Sequence, residues 1–252
     1  MARLPLSVTI IARDAAHEIG PCLDSVAFAE EILVVDSGSR DGTPETAAAK
    51  GARVIHQEWL GYGRQKQFAV EAAAHDWVLS LDADERLSPE LRQAIEAELV
   101  SPSAAGFEMA RRNRFLGRWL AHGEGYPDWS LRLFDRRRAR FSDDPVHEKV
   151  ICSGPVKRLY GDLLHESCDT LERYLAKQNH YTSLQAEALH RRGERAGLLR
   201  LVLSPLFRFV RFYLLRGGFL DGLPGFIHVV IGCMNSFVKY AKLFELQRKD
   251  RH

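Results

Sequence analysis

The sequence predicts an α/β fold in which a mostly parallel central sheet carries helices on both faces. Three observations predict it: apolar runs typical of strands alternate with helical patterns over the first hundred residues, helix-start signals separate them, and acidic residues follow two of the strands. Strands joined by helices form parallel sheets, because each crossover helix packs back onto the sheet. Ligands of such sheets bind beyond the carboxyl ends of the strands.

The individual elements follow from apolar periodicity and from capping signals. Strands are predicted at residues 6–11, 31–35, 52–56 and 76–82, and helices at residues 17–27, 44–50, 64–74 and 89–100. Thr43 before Pro44 and Ser88 before Pro89 are typical helix starts. Beyond residue 105, short apolar stretches predict further strands and loops to about residue 165, and residues 169–194 have the pattern of a polar helix.

Two C-terminal segments, Gly197 to Arg216 and Phe226 to Phe244, have wide apolar faces and narrow basic stripes. This profile is typical of helices that lie in a membrane interface. The alternative is an amphipathic pair packed on the domain or on a second subunit. Because no uninterrupted apolar run reaches about 18 residues, a simple transmembrane helix is disfavoured. We expect peripheral attachment through residues 197–245.

Composition bounds the remaining function classes. The chain has 252 residues, 46% of them apolar, and a formal net charge of +2, so it can bury a full core and no nucleic-acid partner is indicated. Basic residues cluster at positions 111–114, 136–140 and 191–192; because such clusters are usually solvated faces, they indicate a polyanionic partner only weakly. No signal peptide is expected. The four cysteines form no CxxC pair, which fits a reducing cytoplasm better than a disulfide framework or a zinc site; they are Cys22, Cys152, Cys168 and Cys233.

Two aspartates, Asp82 and Asp84, stand one residue apart where the strand at residues 76–82 ends. Such a pair can share a hard divalent cation, which in turn can hold the phosphates of a nucleotide. Asp36 ends an earlier strand, so one crevice can receive both Asp36 and Asp82. The pattern indicates an enzyme whose leaving group is a diphosphate; the alternative is ordinary solvated turns.

Four segments in this order resemble glycosyltransferase family 2, which implies a GT-A fold, a Rossmann-like sheet with helices on both faces. They are Thr9-Ile-Ile-Ala-Arg-Asp14, Ile32-Leu-Val-Val-Asp-Ser-Gly-Ser-Arg-Asp-Gly-Thr43, Gly61-Tyr-Gly-Arg-Gln-Lys-Gln-Phe-Ala69 and Asp82-Ala-Asp84. Ser37 stands where the family usually has a second aspartate, and Gly-Arg-Gln-Lys-Gln replaces its Gly-x-x-x-Ala-Arg-Asn.

A closer resemblance, to bacterial lipopolysaccharide core β-1,4-glucosyltransferases, covers most of the chain. It rests on Tyr126-Pro-Asp-Trp129, Arg132-Leu-Phe134, Val146-His-Glu148, His165, Gly218-Phe-Leu-Asp-Gly222 and Tyr240-Ala-Lys-Leu-Phe-Glu245. The resemblance implies inverting transfer of a hexose, glucose from UDP-glucose, to a heptose of the inner core or a similar membrane-borne glycan. It also implies Mg²⁺ or Mn²⁺ as cofactor.

The resemblance assigns expected roles to individual residues. Contacts with the nucleotide sugar are expected from Ile11, Arg13, Asp36, Arg64, Asp82 and Ala83, and metal coordination from Asp84 and His165. Glu148 is the expected general base, with Asp128, Asp143 and Asp144 as rivals. On the acceptor side the candidates are Tyr126, Asp128, Trp129 and Arg132. The charges of Arg13, Arg64 and Lys66 suit phosphates, and Arg64 is favoured because it opens a helix.

We therefore expect a catalytic domain over residues 1–168, with a nucleotide-sugar half (1–100) and an acceptor half (101–168), followed by a helical region over 169–252. The expected location is cytoplasmic, on the inner face of the bacterial inner membrane, with oligomerisation through the C-terminal helices left open. Transfer to a polyprenyl phosphate, or a non-catalytic membrane-surface module with a GT-A fold, are the alternatives. A nicotinamide dehydrogenase or a sugar nucleotidyltransferase is disfavoured, since Ala12-Arg-Asp-Ala-Ala-His17 lacks the glycine-rich first turn.

Overall fold

The computed structural model describes residues 4–142, 148–166 and 170–250. The chain forms two compact units. Unit 1 comprises Met1–Arg111 and Asp128–His165, and unit 2 comprises Arg112–Pro127 and Glu166–His252.

Unit 1 is an α/β unit. The strands of the chain are β1 (Leu4–Ala12), β2 (Ala29–Asp36), β3 (Arg53–His56), β4 (Trp77–Asp82), β5 (Glu85–Leu87), β6 (Gly106–Phe115), β7 (Arg118–Trp119), β8 (Asp128–Asp135), β9 (Ala139–Phe141), β10 (Val150–Cys152) and β11 (Val156–Glu166). The helices of unit 1 are α1 (Ile19–Ser25), α2 (Thr43–Ala49), α3 (Tyr62–Glu71) and α4 (Pro89–Glu98).

The main sheet has the strand order β3-β2-β1-β4-β8-β6-β11-β5, with β7 paired to β6 and with β9 and β10 forming a separate pair. The four strands predicted from the first hundred residues, β1 to β4, are parallel to one another. Strand β8 then runs antiparallel to β4 and to β6. The predicted α/β class is confirmed.

The core of unit 1 lies on both faces of β1. Leu6, Val8 and Ile10 are fully buried on one face, while Ser7 and Thr9 are buried on the other. Such burial on both sides is the expected environment of a central parallel strand, whose two faces are covered by helices. As a central strand, β1 has its carboxyl end between the ends of its two neighbouring strands.

The two predicted helix starts turn out differently. Ser88 caps α4, because its hydroxyl accepts a hydrogen bond from the Leu91 N–H at 3.2 Å. Thr43 is instead the first residue of α2, and Gly42, with φ of +87°, precedes it. The Thr43 hydroxyl accepts from the Ala15 N–H at 2.8 Å and donates to Asp41 Oδ1 at 2.6 Å. Thr43 therefore ties α2 to the loop after β1 and does not cap its own helix.

Gly161 allows β11 to pass close to the start of α4. Its φ is +101°, and a Cβ atom there would lie 2.3 Å from the Leu91 backbone nitrogen. Only glycine meets both conditions without displacing the backbone. Beyond this contact β11 pairs with β5, and His165 lies opposite Glu85.

Unit 2 is built mainly from three helices, α5 (Leu171–Arg191), α6 (Leu198–Phe209) and α7 (Gly222–Lys249). Helix α6 continues as a π-helical segment at Val210–Leu215, and a 3₁₀ turn at Gly218–Asp221 leads into α7. Helix α7 packs against both α5 and α6. The helical segments predicted at 169–194, 197–216 and 226–244 correspond to α5, to α6 with its π-helical continuation, and to α7, although α5 ends at Arg191 and residue 169 lies outside the described residues.

Unit 2 exposes an unusual number of large apolar side chains. On α6 and the segment after it they are Leu198, Leu199, Val202, Leu203, Leu206, Phe207, Val210, Leu214 and Leu215, and on the 3₁₀ turn and α7 they are Phe219, Leu220, Leu223, Phe226, Val230, Met234, Phe237 and Phe244. Within the described ranges, one helical stretch, Gly218–Lys249, has the length and mean hydropathy (1.2 over its best window) needed to cross a membrane, and 33% of that window is buried. An apolar core helix of a water-soluble protein meets the same two conditions.

Candidate active site

The carboxyl ends of three parallel strands bring the predicted acidic residues to the same edge of unit 1. Asp36 lies opposite Ala12 in the β1–β2 register, and Asp82 lies opposite Ile11 in the β1–β4 register. The backbone of Ile11 is therefore next to Asp82, and Ala83 beyond it is buried. Because β1 lies between β2 and β4, Asp36 and Asp82 both lie next to the carboxyl end of β1.

Asp36 is buried and its carboxylate is engaged by the turn that follows it. Oδ2 accepts hydrogen bonds from the N–H groups of Gly38 and Ser39 at 2.9 and 3.0 Å, and Oδ1 accepts one from the Ser39 hydroxyl. These contacts order the Ser37–Ser39 turn. Arg13, at the end of β1, is exposed, and its Nε lies 4.0 Å from Asp14 Oδ2.

Asp82 is held between two cations. Its Oδ1 lies 2.9 Å from Lys66 Nζ, and its Oδ2 lies 3.0 Å from Arg132 Nη2. Burial raises the pKa of the Asp82 carboxyl, but the Lys66 and Arg132 charges outweigh that effect and hold the pKa well below its usual range. Asp82 is therefore ionised throughout the physiological pH range.

Glu85, directly after the aspartate pair, is fully buried beneath this arrangement. It accepts hydrogen bonds from the Asp82 N–H at 3.0 Å and from Arg132 Nη2 at 2.6 Å, and Arg111 Nη1 lies 3.6 Å from its Oε1. Arg111 in turn donates two hydrogen bonds to Asp128 Oδ2, at 2.9 and 2.6 Å. Arg111 belongs to a basic cluster of a kind that is usually solvated, but its guanidinium lies beside a buried carboxylate and neutralises it.

Lys66, on α3, also contacts Glu148, the expected general base. Its Nζ lies 3.1 Å from Glu148 Oε1, and the lysine side chain is only 4% exposed. Arg64, two residues earlier, is exposed, and no ion pair of Arg64 is found among the described residues. The helix therefore directs Lys66, the less favoured candidate, toward the carboxylates. Asp143 and Asp144, the rival bases, lie outside the described residues.

Asp84 and His165 form the second half of the cluster. His165 Nε2 lies 3.1 Å from Asp84 Oδ2. The pairing of β11 with β5 brings them together, because His165 lies opposite Glu85, the residue after Asp84. The sequence separation is 81 residues, so this proximity depends entirely on the sheet.

The four acceptor-side candidates are distributed over both units. Arg132 and Asp128 belong to the charge cluster of unit 1. Trp129, also in unit 1, is partly exposed, and the Arg158 guanidinium stacks on its ring at 4.2 Å. Tyr126 belongs to unit 2, where its carbonyl accepts a hydrogen bond from Arg216 Nη2 at 3.0 Å.

The sequence interpretation gave no role to Glu85 or Arg111. The sequence feature that could have indicated a role for Glu85 is its position directly after Asp82-Ala-Asp84, close to the end of a buried strand. No comparable signal marks Arg111, because its partners are distant in sequence. Among the described residues no group of three His, Cys, Asp or Glu side chains is arranged to hold a metal ion; Asp84 and His165 are a pair.

Comparison with known proteins identifies the family of the chain. The sequence pattern of the family described as Glycosyl transferase family 2 matches residues 7–158. The lipopolysaccharide core biosynthesis glycosyltransferase LpsC of Rhizobium meliloti (strain 1021) is 33% identical over 96% of this chain and 93% of its own length. A glycosyltransferase of Rickettsia typhi, described as uncharacterized, is 30% identical over 98% of this chain and 89% of its own length.

Among solved structures, glucosyl-3-phosphoglycerate synthase from Mycobacterium tuberculosis, in complex with Mn²⁺, UDP and glucosyl-3-phosphoglycerate, is 24% identical and covers 44% of each chain with a TM-score of 0.38. The family match spans more than half of the chain, and the LpsC likeness spans nearly all of it. The family match includes Asp36, Asp82 and Asp84. The chain therefore belongs to glycosyltransferase family 2 and is a glycosyltransferase with the GT-A fold, related to an enzyme of lipopolysaccharide core biosynthesis.

Proposed function

We propose that this glycosyltransferase is inverting, takes a hexose from a UDP-sugar and transfers it to a lipid-linked glycan of the lipopolysaccharide inner core type. The observation that carries the proposal is the cluster in which Lys66 contacts both Asp82, at 2.9 Å, and Glu148, at 3.1 Å. It joins a donor-side aspartate to the expected base through one buried cation. The UDP-glucose donor and the heptose acceptor are taken from the resemblance, and the likeness to LpsC, a lipopolysaccharide core biosynthesis glycosyltransferase, supports the acceptor class.

The proposed reaction is a displacement at the anomeric carbon. The acceptor hydroxyl oxygen forms the new bond to that carbon, the bond to the diphosphate oxygen breaks, and its electron pair leaves with UDP. The proton of the acceptor hydroxyl passes to the Glu148 carboxylate, which acts as general base. Lys66 holds Glu148 in position beside Asp82. Asp36, Ile11 and the end of β1 are the proposed nucleoside contacts.

A divalent cation fits the donor set of unit 1. Asp84 Oδ2 and His165 Nε2 lie 3.1 Å apart, so one ion can contact both atoms. A mixed oxygen and nitrogen pair suits Mn²⁺ better than Mg²⁺, which prefers oxygen ligands only. Such an ion neutralises negative charge that develops on a departing diphosphate.

The charge balance of the cluster also favours a cation. Three cationic side chains, Lys66, Arg111 and Arg132, face five carboxylates, which are Asp82, Asp84, Glu85, Asp128 and Glu148. The described groups therefore leave two negative charges, and a divalent ion balances them. The remaining coordination positions would be filled by diphosphate oxygens and water.

The proposed location is the inner face of the bacterial inner membrane, with unit 2 as the attachment surface. Its support is the exposed apolar side chains of α6 and α7, since large exposed apolar patches mark interaction surfaces. Helix α7 buries Val229, Ile231 and Leu243, so one of its faces is occupied within unit 2. This arrangement favours a helix lying on the membrane over one crossing it. The proposed division of labour is a catalytic region up to residue 168 and a helical attachment region from 169.

The test is nucleotide-dependent stabilisation followed by transfer. The melting temperature of the full chain is measured with UDP, UDP-glucose, GDP, CMP and ADP-heptose, each with Mn²⁺ or with a chelator. We expect stabilisation by uridine nucleotides only with metal. In Asp84→Asn we expect this stabilisation to disappear and transfer to fall at least about a hundredfold, while the variant stays folded. Asp24→Asn, at an exposed surface pair with Lys50, is the matched control.

A fully active Asp84→Asn enzyme contradicts the proposal. Transfer from UDP-glucose to a polyprenyl phosphate, with none to a heptose-containing core acceptor, leaves the donor assignment standing and overturns the acceptor.

A further inference from the structure

We propose that unit 2 contains a binding site for a phosphate-type oxyanion, in a cavity between α5, α6 and α7. The cavity has a volume of about 80 Å³. One water molecule needs about 10–15 Å³ by the same measure, so there is room for one small oxyanion with water. Among the residues that line it are Gln178, Thr182, Gln185, Arg208, Ser236 and Lys239.

The surroundings of Lys239 indicate an anionic ligand. Its Nζ lies 4.8 Å from the centre of the Tyr240 ring, and over residues 4–142, 148–166 and 170–250 no carboxylate lies within 4.0 Å of it. Burial lowers the pKa of Lys239, and the Arg208 charge lowers it further. Glu194 acts in the opposite direction, but its carboxylate is paired with Arg200 at 2.8 Å. Lys239 therefore has a second cation, Arg208, near it and no carboxylate in contact with it among the described residues.

Lys242, one helical turn further along α7, has different surroundings. Lys242 Nζ donates to Asn179 Oδ1 at 2.7 Å, to Thr182 Oγ1 at 3.0 Å and to Ser183 Oγ at 2.8 Å. Lys242 thus serves as a structural cross-link between α7 and α5. Lys239, on the same helix, lines the cavity instead and makes none of these hydrogen bonds.

The other lining groups suit a ligand with several acceptor oxygens. Arg208 is paired with Glu124 through Nε at 3.0 Å, and its Nη1 lies 3.4 Å from Ser236 Oγ. The amide of Gln185 and the hydroxyl of Ser236 supply neutral donors, and all three helices contribute. A tetrahedral phosphoryl group suits this arrangement, because it offers acceptor oxygens in several directions and can meet donors from three helices at once. Two sources carry this chemistry, a lipid headgroup and a free phosphate.

Thermal unfolding of the full chain tests the site with inorganic phosphate as the probe. We expect phosphate to raise the melting temperature relative to chloride at equal ionic strength. Lys239→Gln should weaken phosphate affinity at least about tenfold, because it removes a charge-assisted hydrogen bond, and Lys239→Arg should retain the response. Lys249→Gln removes the same charge from an exposed position on the same helix and should respond like the wild type.

A second arm distinguishes the two sources. Co-sedimentation is measured with phosphatidylcholine vesicles that contain phosphatidic acid. If a lipid headgroup is the ligand, Lys239→Gln should pellet less than Lys249→Gln and inorganic phosphate should compete; if free phosphate is the ligand, the two variants should pellet equally. Absence of any phosphate effect on the wild type, or an equal effect on Lys239→Gln, overturns the site. Neither readout involves the sugar donor, so the proposed transferase reaction stands or falls separately.

Discussion

Arg132 Nη2 lies 2.6 Å from Glu85 Oε1, and both side chains are almost completely buried. The two charges stabilise each other where water does not reach, and burial alone would lower the pKa of Arg132. The charges of Glu85 and Asp82 outweigh burial and raise the pKa of the guanidinium. Arg132 is thereby kept charged while its Nη2 contacts Asp82. The pair thereby supports Asp82, the residue for which we propose a role on the donor side.

Replacing Glu85 by glutamine should destabilise the protein strongly. Removing one partner leaves the Arg132 charge buried with less compensation, and the expected loss is about 3 kcal/mol in the free energy of unfolding. Equilibrium denaturation in urea measures it. Glu96→Gln, which breaks a solvent-exposed pair with Arg92, is the control and should cost less than about 1 kcal/mol. Equal costs for the two variants would show that the buried pair contributes little.

Replacing Lys66 by methionine should impair transfer more than it impairs folding. Methionine fills most of the volume of the lysine side chain, but it is uncharged and forms no ion pair with Asp82 or Glu148. If Lys66 positions the general base, kcat should fall at least about a hundredfold. Steady-state kinetics, with melting temperature measured in parallel, separates the two effects. Lys157→Met, which changes an exposed lysine of unit 1, should keep kcat within about twofold. An unchanged kcat in Lys66→Met would remove Lys66 from the reaction.

The low pKa of Asp82 predicts a specific dependence of stability on pH. Its folded pKa lies below the unfolded value of about 3.9. The resulting stabilisation is therefore complete above that value and is lost as the pH falls toward the folded pKa. Between about pH 5 and pH 2, the unfolding free energy of Asp82→Asn should fall less steeply than that of the wild type, by up to about 1.4 kcal/mol per pH unit. Urea midpoints over a pH series measure the slopes, and parallel slopes would contradict this prediction.

The exposed face of α6 should contribute to vesicle binding. Leu199 and Phe207 are 74% and 67% exposed, so Leu199→Glu combined with Phe207→Glu should leave the fold intact. Each lost apolar insertion costs about 1.5–3 kcal/mol, so affinity for phosphatidylglycerol-containing vesicles should fall more than tenfold in co-sedimentation. Val100→Glu changes an equally exposed apolar residue of unit 1, 80% exposed, and should bind as the wild type does. If both variants pellet equally, α6 is not the attachment surface.

Local sequence signals were strongest where the partners are close along the chain. The four parallel strands, the Ser88 cap and the position of Asp82 and Asp84 at a strand end all follow from patterns a few residues long. Thr43 departs from its local signal because its hydroxyl is used by Ala15, 28 residues away. Arg64 and Lys66 show, within one helix, that a local sequence signal does not determine which residue makes a tertiary contact. Which of the two contacts the carboxylates depends on how α3 is rotated against the sheet, and only packing sets that rotation.

The sequence by itself determined the class of fold, the family, the strand ends that carry Asp36, Asp82 and Asp84, and the amphipathic character of the C-terminal helices. Each of these depends on residue type and on short-range periodicity. Only the tertiary structure decided that Lys66 joins Asp82 to Glu148, that Arg111 and Arg132 enclose Glu85, and that Lys239 lines the cavity while Lys242 does not. The resemblance had assigned Asp84 and His165 to one metal, and the sheet brings their side chains within 3.1 Å. Some of those contacts join residues tens of positions apart. Others give different surroundings to two residues that are close together on one helix. They arise from strand order and helix packing, because a fully buried charge needs partners that only the whole fold brings together.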